Sequence, residues 1–186
     1  METYFTKRDF DTADKRLAEC TSYKRAGQLV LEMVWERGAP LKQVALFLEW
    51  GNVGDAPFQC RKALADILRE ALKQVRLADV LKEPEQTWFE SLGVEIPIYR
   101  GCEKGRERGL HWTVDLAVAR GFATGKRCIN RHPTLVSACI PKEQVFAVFI
   151  DREEHEIVAD YRRLRRVKIE PAPALRYHGE MSAIGP

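Results

Sequence analysis

Charged and hydrogen-bonding side chains stand beside apolar runs at three places in this chain. Ile96-Pro97-Ile98-Tyr99-Arg100-Gly101 is a short strand-like run that stops at an arginine and a glycine. That order places a cation at the mouth of a strand, with a glycine beside it that lets backbone approach closely. The planar guanidinium fork suits phosphate or carboxylate groups; the same residue also reads as an ordinary solvated strand end. A short loop later, Gly109-Leu110-His111-Trp112-Thr113 brings an imidazole, an indole and a hydroxyl together in three residues. Further on comes Glu154-His155-Glu156-Ile157-Val158. Side chains on a strand alternate with period two, so Glu154 and Glu156 would share a face and His155 would point away. A carboxylate there can strengthen its hydrogen bond to a sugar as positive charge develops, as in glycoside hydrolysis. Asp151 to Glu156 also reads as a charged hairpin turn, and His111 as a surface histidine.

Taken in order, the three pieces resemble the Arg, Ser/Thr and Glu motifs of the ADP-ribosyltransferase superfamily, in its Arg-Ser-Glu, toxin-like mono-ADP-ribosyltransferase form, over Ile96 to about Val158. The resemblance implies an enzyme that splits NAD and passes its ADP-ribose to an acceptor, with NAD as substrate. It also implies a split, mainly antiparallel β-sandwich. Glu156 matches the catalytic glutamate that holds the ribose 2-hydroxyl, and Glu154 the upstream glutamate that orients an incoming guanidinium, which favours protein arginine as acceptor. Arg100 matches the arginine that braces the NAD phosphate and ribose. Tyr99, Gly101, His111, Trp112, Thr113 and Phe122 complete the NAD-contacting set, although the helix marked by Leu116, Ala119 and Phe122 reads by its spacing as packing. The middle motif departs from the family. Relatives carry Ser-x-Ser or Ser-x-Thr, whose first hydroxyl bonds the catalytic glutamate, whereas His111-Trp112-Thr113 occupies those places here. His111 either donates to Glu156 in place of serine or marks a weakened enzyme, and Trp112 offers a face to nicotinamide or to the strand beneath.

These groups need a scaffold, and 186 residues suffice for one core, with two small domains as the upper limit. The texture divides the chain into a helical lobe over 1–93 and the NAD-binding core over 94–186. In the first part, Leu17, Cys20, Tyr23, Ala26, Val30 and Val34 recur at helical spacing and predict one helix from Asp14 to Arg37, closed by Gly38 and Pro40. A second helix is expected over Leu41 to Trp50. A third follows the stripe from Cys60 through Leu64, Leu68 and Val75 to Ala78, before Pro84. In the second part, strands are expected at Val94 to Tyr99, Thr134 to Ile140, Val145 to Ile150, Glu156 to Ala159 and Val167 to Ile169, interrupted by a helix over Asp115 to Ala123. Without regular strand–helix alternation the class is α+β with a mainly antiparallel sheet.

Composition bounds what else the chain does. Thirty Lys and Arg against 27 Asp and Glu leave a formal charge of +3, which does not force a nucleic-acid partner. The one dense basic stretch, Arg162 to Lys168, reads as a solvated edge strand or as a guide for nucleic acid. Five scattered cysteines without a Cys-x-x-Cys pair fit a reducing compartment. Cys128 and His132 have ligand-like spacing, but no second pair follows, so no metal is expected. There is no phosphate loop and no Gly-x-Gly-x-x-Gly. No leader-like or membrane-spanning run is seen, and the expectation is a cytoplasmic protein without membrane contact. The expected function is therefore mono-ADP-ribosylation of an intracellular macromolecule, as a toxin of a toxin-antitoxin or phage-conflict system neutralised by an antitoxin or partner on the helical lobe. ADP-ribosylation of RNA or DNA and an inactive binding module of the same fold are the alternatives.

Overall fold

The computed structural model describes residues 4–20, 22–52, 56–124, 130–150 and 154–172. Among them are six α-helices and six strands in an α+β arrangement. Helix α1 (Lys7–Ala18) starts at a reciprocal cap, in which the Thr6 hydroxyl accepts the Asp9 N–H and the Asp9 carboxylate accepts the Thr6 N–H. Helix α2 (Tyr23–Glu36) starts at Ser22, whose hydroxyl accepts the Arg25 N–H. The single helix expected over residues 14–37 is thus two. The apolar spacing runs through the break, but Ser22 satisfies a free N–H only where a helix begins.

Pro40 opens α3 (Pro40–Trp50), matching the expected second helix, and nearly all of its second half is buried. The third, α4 (Arg61–Ala71), ends well before Ala78. The stripe continues through a turn and a 3-10 segment at Leu77–Asp79, which also point apolar side chains inward. Pro84 does not only end a pattern: it sits at the N-cap of α5 (Glu85–Ser91), a helix too short for periodicity to reveal.

The sheet begins with β1 (Glu95–Glu103), longer than expected, followed by β2 (His111–Thr113), a three-residue strand the sequence does not announce. Helix α6 (Leu116–Ala123) lies where predicted, its first N–H groups held by the Asp115 carboxylate. Then come β3 (Pro133–Pro141), β4 (Val145–Phe149), β5 (Glu156–Ala159) and β6 (Arg165–Pro171). All pairings are antiparallel in the order β4-β5-β2-β1-β3-β6. The expected split sandwich is instead one continuous sheet, although its two halves, β4-β5-β2 and β1-β3-β6, join through one registered pair, Tyr99 with Thr113.

Helices and sheet share a continuous apolar core. It runs from Val30 and Met33 of α2 through Phe47 of α3 and Leu68 of α4 to Ile98 of β1 and Phe146 of β4. A charged clamp crosses the same boundary. Asp160, 0% exposed just after β5, accepts from Arg69 of α4 at 2.8 Å and from Arg162 at 2.8 Å, and Arg162 reaches Asp66 of α4 at 2.6 Å. Arg162, read from sequence as the start of a basic face, is therefore spent inside the fold.

Candidate active site

The short strand β2 is what assembles the site. Register aligns Tyr99 on β1 with Thr113 on β2, Thr113 with Glu156 on β5, and Glu156 with Phe149 on β4. Directly paired residues in an antiparallel sheet point to the same face, so these four form a row across four strands. His111, two residues before Thr113, lies on that face and diagonal to Glu156. Its Nδ1 contacts Glu156 Oε1 directly. Both residues are 7% exposed, and His111 Nε2 is buried without a hydrogen-bond partner among the described residues. With a proton on Nδ1, the neutral ring donates to the carboxylate and turns an unpaired acceptor outward from the pair at Nε2. A buried polar atom without a partner is uncommon and marks a place where a ligand hydroxyl or water gains a bond.

Alternation turns Arg100 away from this row, to the face it shares with Ile96, Ile98 and Cys102. It is not a solvated strand end, being 6% exposed. Nη1 donates to the His111 carbonyl at 2.6 Å and Nε to the Arg106 carbonyl at 3.0 Å. Gly109 makes the room, since a Cβ there would stand 2.4 Å from the Arg100 Cζ. The structure thus joins Arg100 to His111 through backbone, from the far side of the sheet, and does not bring its guanidinium to Glu156. Trp112 shares that far side. It is 2% exposed and donates Nε1–H to the Gly109 carbonyl at 3.0 Å, so the indole packs beneath the strand and presents no face for stacking.

Thr113 Oγ1 donates to the Glu154 carbonyl at 2.6 Å and accepts the Asp115 N–H at 3.0 Å, tying the start of α6 to the segment before β5. Glu154 lies outside β5, and His155 between the two glutamates has φ 43°. Period-two alternation holds only for extended backbone, so the same-face argument for Glu154 and Glu156 does not apply. Asp151 and its two successors in the supposed charged hairpin lie outside the described residues.

Gly101 faces α6, where a Cβ would come within 2.0 Å of the Ala119 carbonyl oxygen and 2.3 Å of the Ala123 nitrogen. Its glycine is required by helix packing, and α6 covers the row beside Tyr99. Phe122 is half-buried on α6, its carbonyl accepting from Asn130 Nδ2 at 2.7 Å. Gly109, Asp115 and Asn130 were not singled out in the sequence; Asp115 directly before an apolar helical spacing is a cap signal that could have been read.

Cys128 of the zinc-like pair lies outside the described residues, and His132 is engaged by Glu103 at 3.0 Å. Burial would raise the Glu103 carboxyl, but the N–H groups of His132 and Arg131 and the His132 ring together hold it below its ordinary value. No group of three potential metal ligands occurs among the described residues, and none of their helices is long and apolar enough to cross a membrane. No family model, curated protein or solved structure matches the chain.

Proposed function

We propose that this chain is a mono-ADP-ribosyltransferase in which Glu156 is the catalytic carboxylate and His111 its positioning residue. The observation that carries the reading is the buried contact between His111 Nδ1 and Glu156 Oε1, in the place where the resembled family bonds serine to glutamate. In the reaction the bond between nicotinamide and ribose C1 breaks and its electron pair leaves with nicotinamide. Positive charge gathers on the ribosyl centre until an acceptor nucleophile bonds to C1 and gives up a proton. A carboxylate fixed by an imidazole and aimed at the 2-hydroxyl strengthens its bond as that charge grows. Arg100 acts in this scheme from behind, holding the His111 carbonyl and therefore the ring. The acceptor is a macromolecule, with protein arginine suggested by the family resemblance of the Glu-x-Glu spacing alone, since Glu154 lies outside β5, and nucleic acid as the alternative. The setting is a toxin of a conflict system, acting in the cytoplasm.

The second reading, a binding module that has lost catalysis, draws on the 7% exposure of both His111 and Glu156, which leaves little of either group at the surface. Incubation with NAD labelled in its adenylate phosphate and a cell lysate separates the two. Transfer of label to protein or nucleic acid, reduced roughly a hundredfold to a thousandfold by Glu156→Gln, is the expected result. Absence of both nicotinamide release and transfer in the wild type would leave the binding module.

A further inference from the structure

Far from the His111–Glu156 pair, the last strand leaves one edge of the sheet open. The opposite edge strand, β4, is buried along its whole length against α3 and α5. Strand β6 is exposed at all seven residues and pairs only with β3, so no strand covers its outer edge among the described residues. An uncovered row of backbone donors and acceptors is a template for another strand.

The two faces of β6 differ. Ile169 stands opposite the buried Val136 and Lys168 opposite Ser137, so these two lie on opposite faces; a bulge follows between Lys168 and Arg165, where Arg166 has φ 52°, and Val167 joins Ile169 on the core side by lining the same groove. Val167 and Ile169 keep 43% and 54% of their surface exposed and line an open groove of about 230 Å³. Phe58, Leu164, Arg61 and Arg108 complete most of its wall, with Glu107 as its one acid, already accepting the Gly105 N–H at 2.8 Å, and none of the candidate catalytic residues borders it. Beside the groove, Arg163, Arg165, Arg166 and Lys168 face Glu170 as the one acid of the strand, with Glu95 reaching in from β1. Pairs as exposed as Arg166 with Glu95 contribute little and exchange readily for another carboxylate.

We propose that β6 and its groove form a docking site for an acidic extended peptide of a partner protein, which adds to the sheet as a seventh, neighbouring strand. Apolar side chains at alternate positions of the peptide would fill the groove against Val167 and Ile169, and acidic ones between them would meet Arg166 and Lys168. The cations discourage a second copy of this chain, because its own β6 would bring like charges together. Nucleic acid is the poorer fit. The groove's one aromatic ring, Phe58, already has the Arg61 guanidinium 3.9 Å from its centroid and Arg106 at 5.4 Å on the ring, leaving no free platform for a base.

The test is fluorescence anisotropy on the full chain with a labelled peptide alternating Glu with Val and Ile and matching β6 in length. The same peptide N-methylated at alternate backbone nitrogens, a Lys-for-Glu version, a peptide of residues 173–186 and oligodeoxythymidine serve as comparisons. The acidic peptide should bind and the N-methylated and lysine versions should not. Ile169→Glu and Lys168→Glu should each weaken binding by about tenfold or more, with unchanged thermal unfolding. No binding of the acidic peptide at low salt, or equal binding of its N-methylated form, overturns the proposal. Tighter binding of oligodeoxythymidine would assign the surface to nucleic acid, and tighter binding of the 173–186 peptide to the chain's own segment. A wild-type dimer in sedimentation that Ile169→Glu dissolves would assign it to a second copy.

Discussion

His111 meets Glu156 through a single nitrogen, so its contribution separates from mere bulk by choice of replacement. His111→Ala removes the orienting bond and is expected to cost about 1–3 kcal/mol in kcat/KM for NAD hydrolysis. His111→Ser restores a hydroxyl at the strand position where the resembled family has one, and should retain much of the activity. Comparing all three proteins at one pH gives the answer, and equal values would remove His111 from the mechanism. At this scale the sequence anticipated the contact between His111 and Glu156, because each sits on a strand whose register carries it to the other. It left open whether Trp112 faces a ligand or packs beneath the strand and did not show that Arg100 is buried, since which face of β1 and β2 is covered depends on what packs there.

At the scale of elements, α6 and α1 make opposite demands on their neighbours. Helix α6 presses its backbone on β1, and Gly101→Ala would put a methyl group inside 2.0 Å of the Ala119 oxygen. Neither side of that contact is a flexible side chain. Overpacking of this kind costs roughly 1–3 kcal/mol or more, visible as a lower denaturation midpoint, and NAD cleavage should fall with it as Tyr99 loses its register. Helix α1 depends on charge. The Thr6 backbone N–H, then the Thr6 hydroxyl and the Arg37 guanidinium, lower the Asp9 carboxyl from 3.8 to about 2. The folded value lies below the unfolded one, so the stabilisation is present above the unfolded value and disappears as pH falls from about 4 through about 2. Wild type should therefore melt above Asp9→Asn near neutral pH, and the gap should close across that window. A constant gap would show that the cap acts by shape alone.

Across the whole molecule, the helical lobe and the sheet are held by apolar packing and by the clamp on Asp160. Asp160→Ala would leave Arg69 and Arg162 facing each other without their shared acceptor. Losing one partner of a fully buried pair costs about 3–5 kcal/mol. The figure here should fall toward or below the low end, because the two arginines keep 31% and 28% of their side-chain surface exposed and retain Asp66. Urea unfolding should show a single transition at lower denaturant. A change below experimental error would make the clamp incidental to the join.

What the sequence determined alone is local: the α+β class, most strand positions, and the alternation that sets β1 residues on two faces. Period and turn chemistry act within a few residues, so they survive without knowledge of the fold. The division of residues 14–37 into two helices and the early end of α4 escaped, because an apolar stripe continues through any turn that keeps its side chains pointing inward. Only the tertiary structure decided that β2 exists, since three residues form a strand when β1 and β5 supply their hydrogen-bond partners on both sides. Through β2 it also decided that His111 reaches Glu156 while Arg100 turns to the core, a choice made by which sheet face α6 and the helical lobe each cover.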